Sequence, residues 1–475
     1  MPRLFKTVLI AVGGCVALLA LAAAVVPLLL DSDTYKPQLE QAAAAASGLD
    51  VGIDGRLRLG LFPGLRVTLE NVRLRHRDAD IASVAEATFG IALRPLLRRE
   101  VRIDSIRLHQ PRIALARNPD GSLDVPAPEP SDAAPGPVEL ANLSVSDATL
   151  TYTDRASGVV YAAEGCDVEI PQLRIAGGDG AKAPNNLFFT AETACRQLSG
   201  ADIAAADVRL SLVAKDGVFD LDPVTLRVFG AQGTGHVRAD FSGAVPHYRI
   251  VHSLPQLDIA EVFKTRTAQN LSTGRMDFAA DLTLRGNGAA DLKRSAQGQV
   301  SLRGENLVFH GSDIDREIAR IKSTQRFSLV DAGAFMFAGP FGLAVTKGYD
   351  FANVLQGSGG SSDIRLLVSD WQFRNGVAQA RDVAMATDEN RIAVRGRLDL
   401  VGQRFDDFTV ALIDTGGCAI LRQKIEGTFA QPKVAQASLL QTLAGPALGL
   451  FKKGKALFVE EKCAVFYHGS VAAPH

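Results

Sequence analysis

Cysteine is the residue type in this chain whose chemistry is easiest to read. Of five cysteines, Cys15 falls in an uncharged N-terminal run and reads as a small apolar residue. Cys166, Cys195, Cys418 and Cys463 remain, an even number without zinc-cluster spacing. Such thiols can oxidise in pairs, and four of them allow three connectivities. The nearest-neighbour pairs, Cys418 with Cys463 and Cys166 with Cys195, close loops of moderate length, each bridge worth roughly 2–4 kcal/mol. Gly417 marks a turn before Cys418, so the first bridge would tie the C-terminal tail onto the last strands. Four reduced, buried thiols are the alternative.

Other chemistry is sparse. There is no G-x-S-x-G elbow, no H-E-x-x-H and no P-loop ending in GK[ST]. Gly230, Gly233 and Gly235 cluster between β-like stretches, where no helix N-terminus completes a phosphate cradle. His247 and His252 are an odd number of residues apart, so a strand puts them on opposite faces. Asp406-Asp407 and Glu460-Glu461 read as solvated charges. The reading is therefore non-enzymatic, with no catalytic residue, cofactor or metal. Lys+Arg is 51 against Asp+Glu 52, a balance that argues against nucleic acid as a partner.

The elements that would carry these residues are mostly strands. Alternation in period two begins after Gly48, with Arg56 to Leu59 reading RLRL. A pattern of two apolar pairs with a one-residue slip between them recurs at Val67, Leu69, Val72, Leu74; at Val101, Ile103, Ile106, Leu108; at Val138, Leu140, Leu143, Val145; and at Phe219, Leu221, Val224, Leu226. A slip of one residue exchanges the faces of a strand, so each copy needs a bulge or a break. Glycine precedes short strand-like runs at Gly55, Gly235, Gly274, Gly298 and Gly396, at irregular spacing that excludes a propeller. The fold class expected is mainly β: a transmembrane helix, then an elongated, curved, mostly antiparallel sheet, groove-like, with a few short helices. Those helices are one capped by Asp31 or Ser32 that runs through Lys36-Pro37 to Ala46, then Asp258 to Lys264, and Ser312 to Lys322 with Ile314, Ile318 and Ile321 on one face.

The N-terminus sets the compartment. Val8 to Leu30 carries no charge, and as a helix it would run about 35 Å, enough to cross a hydrocarbon core of about 30 Å. Arg3 and Lys6 precede it, so the N-terminus stays in the cytoplasm and the body crosses. A signal peptide cleaved after Ala20-Leu21-Ala22 is the alternative. Ser438 to Phe451 is too short to span, is interrupted by Pro446, and reads as an amphipathic helix. Domain boundaries follow: an anchor at 1–30, a β module with its leading helix at 31–117, a Pro-rich linker at 118–137, the main β region at 138–435 and a helical tail at 436–475. Gly177 to Asn186 and Gln356 to Asp363 read as loops.

Several blocks, in order, resemble the AsmA-like family of envelope proteins. They are YKPQLEQAAAAASGLDVGIDGRLRLGLFPGLRVTLENVRL from Tyr35, LRPLLRREVRIDSIRLHQPRIALARNPDGSLDV from Leu93, AKDGVFDLDPVTLRVFGAQGTGHVRADFSGAVPHY from Ala214, FRNGVAQARDVAMATDENRIAVRGRLDL from Phe373, GCAILRQKIEGTFAQPKV from Gly417, and TLAGPALGLFKKG from Thr442, followed by KCAVFYHGSV from Lys462. Leu123-Asp124-Val125 departs from the Asn-Trp that relatives often carry after the NPDG-like turn. The resemblance implies a single-pass inner-membrane protein with a β-rich periplasmic body, similar to bridge-like lipid-transfer proteins and linked to outer-membrane biogenesis. It supplies no catalytic residues.

Periodicity alone leaves two arrangements, an apolar face open to a ligand or a closed β-sandwich; the resemblance favours the open face. Leu57, Leu59, Val67 and Leu69 are then expected to share a surface with Leu226 and Val228, while Arg56, Arg58, Arg66 and Arg227 face water or the rim. The partners expected are the inner membrane, phospholipid and outer-membrane assembly proteins. The competing function is an assembly factor for outer-membrane proteins with no lipid cargo.

Overall fold

The structure is a computed structural model that describes residues 36–60, 64–76, 79–96, 102–124, 137–177, 184–264, 272–311, 313–316, 318–319, 359–435, 438–439, 463 and 465–474. The expected anchor, Val8 to Leu30, lies outside the described residues, as does the expected cap at Asp31 or Ser32. Among the described residues no helix is long and apolar enough to cross a membrane. The chain divides into two compact units, Met1–Val228 with Thr234–Tyr248, and Phe229–Gly233 with Arg249–His475. The fold is mainly β and mostly antiparallel.

The first unit opens with the helix Lys36–Ser47, built on an alanine run that loses little side-chain entropy. Gly48 ends it at φ 68°, a conformation that glycine takes without a Cβ clash. Its Leu39 and Ala43 are buried. Beneath them, strand Leu65–His76 pairs antiparallel with Asp50–Ile53, Leu57–Gly60 and Ala79–Ile91. Ile103–His109 follows Ala79–Ile91 in the ladder. Ile103–His109 and Arg112–Arg117 then run parallel to Asn142–Asp154. A parallel pair needs a long crossover, and the Pro-rich stretch after Arg117 supplies the length. The residues on either side of that stretch thus belong to one ladder. Val159–Ile170, Leu187–Gly200, Ile203–Lys215 and Val218–Val228 continue as an antiparallel meander.

The second unit is also a meander. Arg275–Arg285, Gln297–His310, Ser361–Arg374, Val377–Ala386, Arg391–Asp399, Arg404–Ile413 and Ala419–Thr428 pair in succession. The expected helix at 258–264 is present as Ile259–Lys264, with the Asp258 carboxylate accepting the Ala260 N–H at 2.9 Å. Ile314 and Ile318 are buried, and Ile321 lies outside the described residues. Two expectations change. Ser438–Leu439 is a short strand, not the start of a helix, because it pairs with Leu421 and Arg422; residues 440–451 lie outside the described residues. Ser361 to Asp363, read as loop, begins a strand because it meets Val308, Phe309 and His310 in register.

The recurring one-residue slip is resolved in four ways. Asn71 takes φ 52° between Leu69 and Val72, and all four apolar residues of that copy are buried. Asn is among the few residues that adopt this conformation readily. Asp104 is the extra residue where Gly90 and Ile91 meet Ser105 and Ile103. In the third copy the strand stops at Leu140 and restarts at Asn142. In the fourth, Leu221 and Val224 face Leu212 and Leu210, and Pro223, which has no N–H to lose, occupies the bulge.

Candidate functional site

Five strands of the first unit, from Asn142–Asp154 to Val218–Val228, hold their apolar side chains on one face, in rows set by the register. One row contains Leu150, Ala163, Leu198 and Ala205; the next contains Ala148, Cys166, Cys195 and Val208; a third contains Val145, Val168, Thr193, Leu210 and Val224. At one end Tyr152 faces Tyr161 and Gly200 faces Ile203.

The other face is mostly polar, though Val160 and Val213 are exposed on it at 50% and 51%. Ser144 donates to Glu169 at 2.5 Å and Ser211 to Glu192 at 2.8 Å. Arg227 pairs with Asp207 at 3.0 Å and Arg196 with Asp147 at 3.6 Å. Rows separated by three residues instead of two would put apolar groups on this polar face. Left-handed residues correct the phase: Asp147 between Val145 and Ala148, Gly165 between Ala163 and Cys166, and Asp207 between Ala205 and Val208. The Asp147 kink is held from both sides, since Gln110 donates to its carboxylate at 3.0 Å and its own N–H donates to Asp167 at 2.9 Å.

Cover on the apolar face fades along the strands. Near the helix, Leu140, Ile170, Leu173 and Ala191 belong to the large core. Further along, Cys166, Cys195 and Val208 form a smaller cluster with Leu226 packed against it. At the far end Leu150 is 41% exposed, Tyr161 46% and Ile203 45%. Strands lie about 4.8 Å apart and same-face side chains recur about every 6.6 Å, so five strands by four rows span about 19 by 20 Å. Within those roughly 400 Å² the row of Cys166, Cys195 and Val208 is buried, so the exposed apolar part is the end around Leu150, Tyr161 and Ile203. The Tyr161 ring lies over Gly200, where a Cβ would come within 2.3 Å of the ring. Tyr152 lies beside it, with the ring centroids 6.1 Å apart. Tyrosines give that end an apolar body with a polar tip.

The residues singled out from sequence fall into two places. Leu57 pairs across strands with Leu69, and Leu59 with Val67. Leu57, Val67 and Leu69 are buried under the first helix, with Leu59 partly buried against the same core. Leu226 instead joins the Cys166–Cys195 cluster, and Val228 is half-buried further along that strand. The structure thus brings the first four together and places Leu226 in a separate cluster. Arg56, Arg58 and Arg227 are exposed, and Arg66 is half-buried; Arg58 pairs with Glu70. Sequence reading missed the open end at Leu150, Tyr161 and Ile203. Its signal, the alternation of NLSVSDATLTY from Asn142, was obscured by the slip at Asp147.

Both nearest-neighbour cysteine pairs are bonded, Cys166 to Cys195 and Cys418 to Cys463. The first joins directly opposed residues of adjacent strands on the apolar face. His252 lies beside Gly233, and burial lowers its pKa. Among the described residues no group of three or more His, Cys, Asp or Glu is placed to hold a metal.

The family model described as AsmA family matches residues 1–185 and 190–382, well over half of the chain. No curated protein and no solved structure matches it.

Proposed function

The chain belongs to the AsmA family, and from that premise we propose that it is a non-enzymatic envelope protein that binds phospholipid and passes it between the inner and outer membranes, supporting outer-membrane assembly. The observation that carries the reading is the apolar face of the first unit, covered at one end and open at Leu150, Tyr161 and Ile203. Acyl methylenes laid on it gain about 0.8 kcal/mol each when fully withdrawn from water, while a headgroup stays hydrated beyond the tyrosines. In this reading Val8 to Leu30 anchors the chain in the inner membrane and the body occupies the periplasm, an oxidising compartment that suits two disulfides.

The test places a photo-reactive amino acid at Ile203 in cells and identifies the adducts by mass spectrometry. Phospholipid adducts at Ile203, and none from the polar-face position Ser211, are expected. Adducts with proteins alone would favour an assembly factor without lipid cargo.

A further inference from the structure

The second unit carries a cover of a different kind. Ala384 pairs with Ala393, and Ala393 with Ala411. With Ala386 and Ala419 they make a stripe of small side chains on one sheet face. Phe466, Tyr467 and Val471 of the tail fill the depth those alanines leave, at 5%, 8% and 1% exposure. The tail does not extend the sheet. Its ladder contact is an isolated bridge between Cys418 and Val465, whereas the strands beneath pair with one another in long ladders interrupted by bulges. The tail is fastened at points: the Phe466 and Tyr467 N–H groups donate to the Gly417 carbonyl at 2.8 and 3.0 Å. The Tyr467 hydroxyl donates to Asp382, and the Ser470 N–H donates to the same carboxylate at 2.9 Å. Arg391 donates to the Val471 carbonyl at 2.9 Å.

We propose that the Cys418–Cys463 disulfide is a redox latch: its reduction frees the tail from the alanine stripe and leaves the sheet beneath folded. Access favours this bond over the other. Cys418 and Cys463 are half-buried beside exposed Asp414, Thr415 and Gly416, whereas Cys166 and Cys195 are buried on their sheet face. Thiol exchange requires that a thiolate reach a sulfur. A dithiol reductant attacks one sulfur, forms a mixed disulfide and releases the other as a thiolate that takes a proton. Its second thiol then displaces the remaining cysteine. Two electrons and two protons pass to the cystine, and the dithiol leaves as a disulfide.

The latch matters because it shortens the tether. With the bridge closed, Phe466 is three residues from a fixed point at Cys463. With it open that tie is lost, and the tail is held at least about 30-fold less tightly, the loop-closure worth of a bridge across 45 residues. Release exposes the stripe and uncovers Arg391 and Arg422, which otherwise lie over the Tyr467 and Phe466 rings.

The experiment uses the full chain in detergent, titrated with dithiothreitol, with thiol alkylation mapped by mass spectrometry and amide hydrogen exchange followed in parallel. Cys418 and Cys463 should label before Cys166 and Cys195. Exchange at Phe466 and Tyr467 should then quicken by about 30-fold or more, with strand Arg404–Ile413 unchanged. A Cys418→Ser, Cys463→Ser variant should reproduce that pattern without reductant. Unchanged exchange in the tail, loss of protection throughout Arg404–Ile413, or earlier opening of Cys166–Cys195 would each overturn the latch. Because the lipid surface lies in the first unit, the latch can fail without touching that reading, and the converse holds too.

Discussion

A carboxylate placed at two leucines of the first unit separates closed core from open face. Leu69 is 3% exposed, opposite Leu57 and Ala87 and within the core capped by the helix Lys36–Ser47. Leu69→Asp forfeits about 2–3 kcal/mol of burial and adds several kcal/mol for a carboxylate without a counter-charge. The sum is more than about 5 kcal/mol, against a total stability of about 5–15 kcal/mol for an ordinary domain, so the first unit should unfold. Leu150 is 41% exposed. Leu150→Asp gives up only part of that burial and leaves its charge in water, a cost of about 1–2 kcal/mol. That variant should stay folded yet interrupt the apolar rows. Circular dichroism through a urea titration measures the first quantity. The yield of phospholipid adducts from a photo-reactive residue at Ile203, in the Leu150→Asp background, measures the second. A folded variant with at least tenfold less adduct is expected. If Leu150→Asp unfolds as Leu69→Asp does, the far rows are ordinary core. If it folds and keeps its adducts, the Leu150 row is not part of the lipid path.

Three further perturbations have defined outcomes. Changing Cys166 and Cys195 together to Ser should cost about 2–4 kcal/mol, seen as a lower urea midpoint with a somewhat steeper slope because the unfolded chain is no longer cross-linked; no shift in midpoint would mean that the strand pairing alone holds the two positions. Arg391→Met leaves the Val471 and Asp414 carbonyls without their charged donor and should destabilise the second unit by about 3 kcal/mol; thermal unfolding equal to the parent would refute this role. The pKa of Asp370 is raised by burial and then by Asp382 opposite it, against a smaller lowering by Arg303. A raised carboxyl favours folding when protonated, so this contribution is present below its unfolded value near 3.8 and is lost as pH rises through the folded value. Asp370→Asn should therefore stabilise the second unit at neutral pH, with the gain vanishing below about pH 4; a gain that stays constant with pH would contradict the assignment.

Strand-forming alternation, the alanine helix before Gly48 and the parity of the four cysteines were all legible in the sequence, because each is a local property. A period of two reports that a strand has one apolar face, and an alanine run loses little entropy on becoming helix. The slips between Leu69 and Val72 or Leu221 and Val224 were legible as a need for a bulge. Which device met the need was not: Asn71, Asp104, the break at Ala141 and Pro223 each answer a different cross-strand neighbour.

Coverage was decided by tertiary structure alone. Leu69 and Leu150 sit in similar alternating strands, yet one lies under Leu39 and Ala43 while the other meets water. The alanines of the second unit read as unremarkable strand residues until Phe466 and Tyr467 settle on them. Tyr467 reaches Asp382 from 85 residues away in the chain. The period of a strand encodes that a face is apolar, since that follows from adjacent residues. What covers the face depends on which distant segment has the volume and the hydrogen-bonding groups to occupy it, and local pattern carries no record of that.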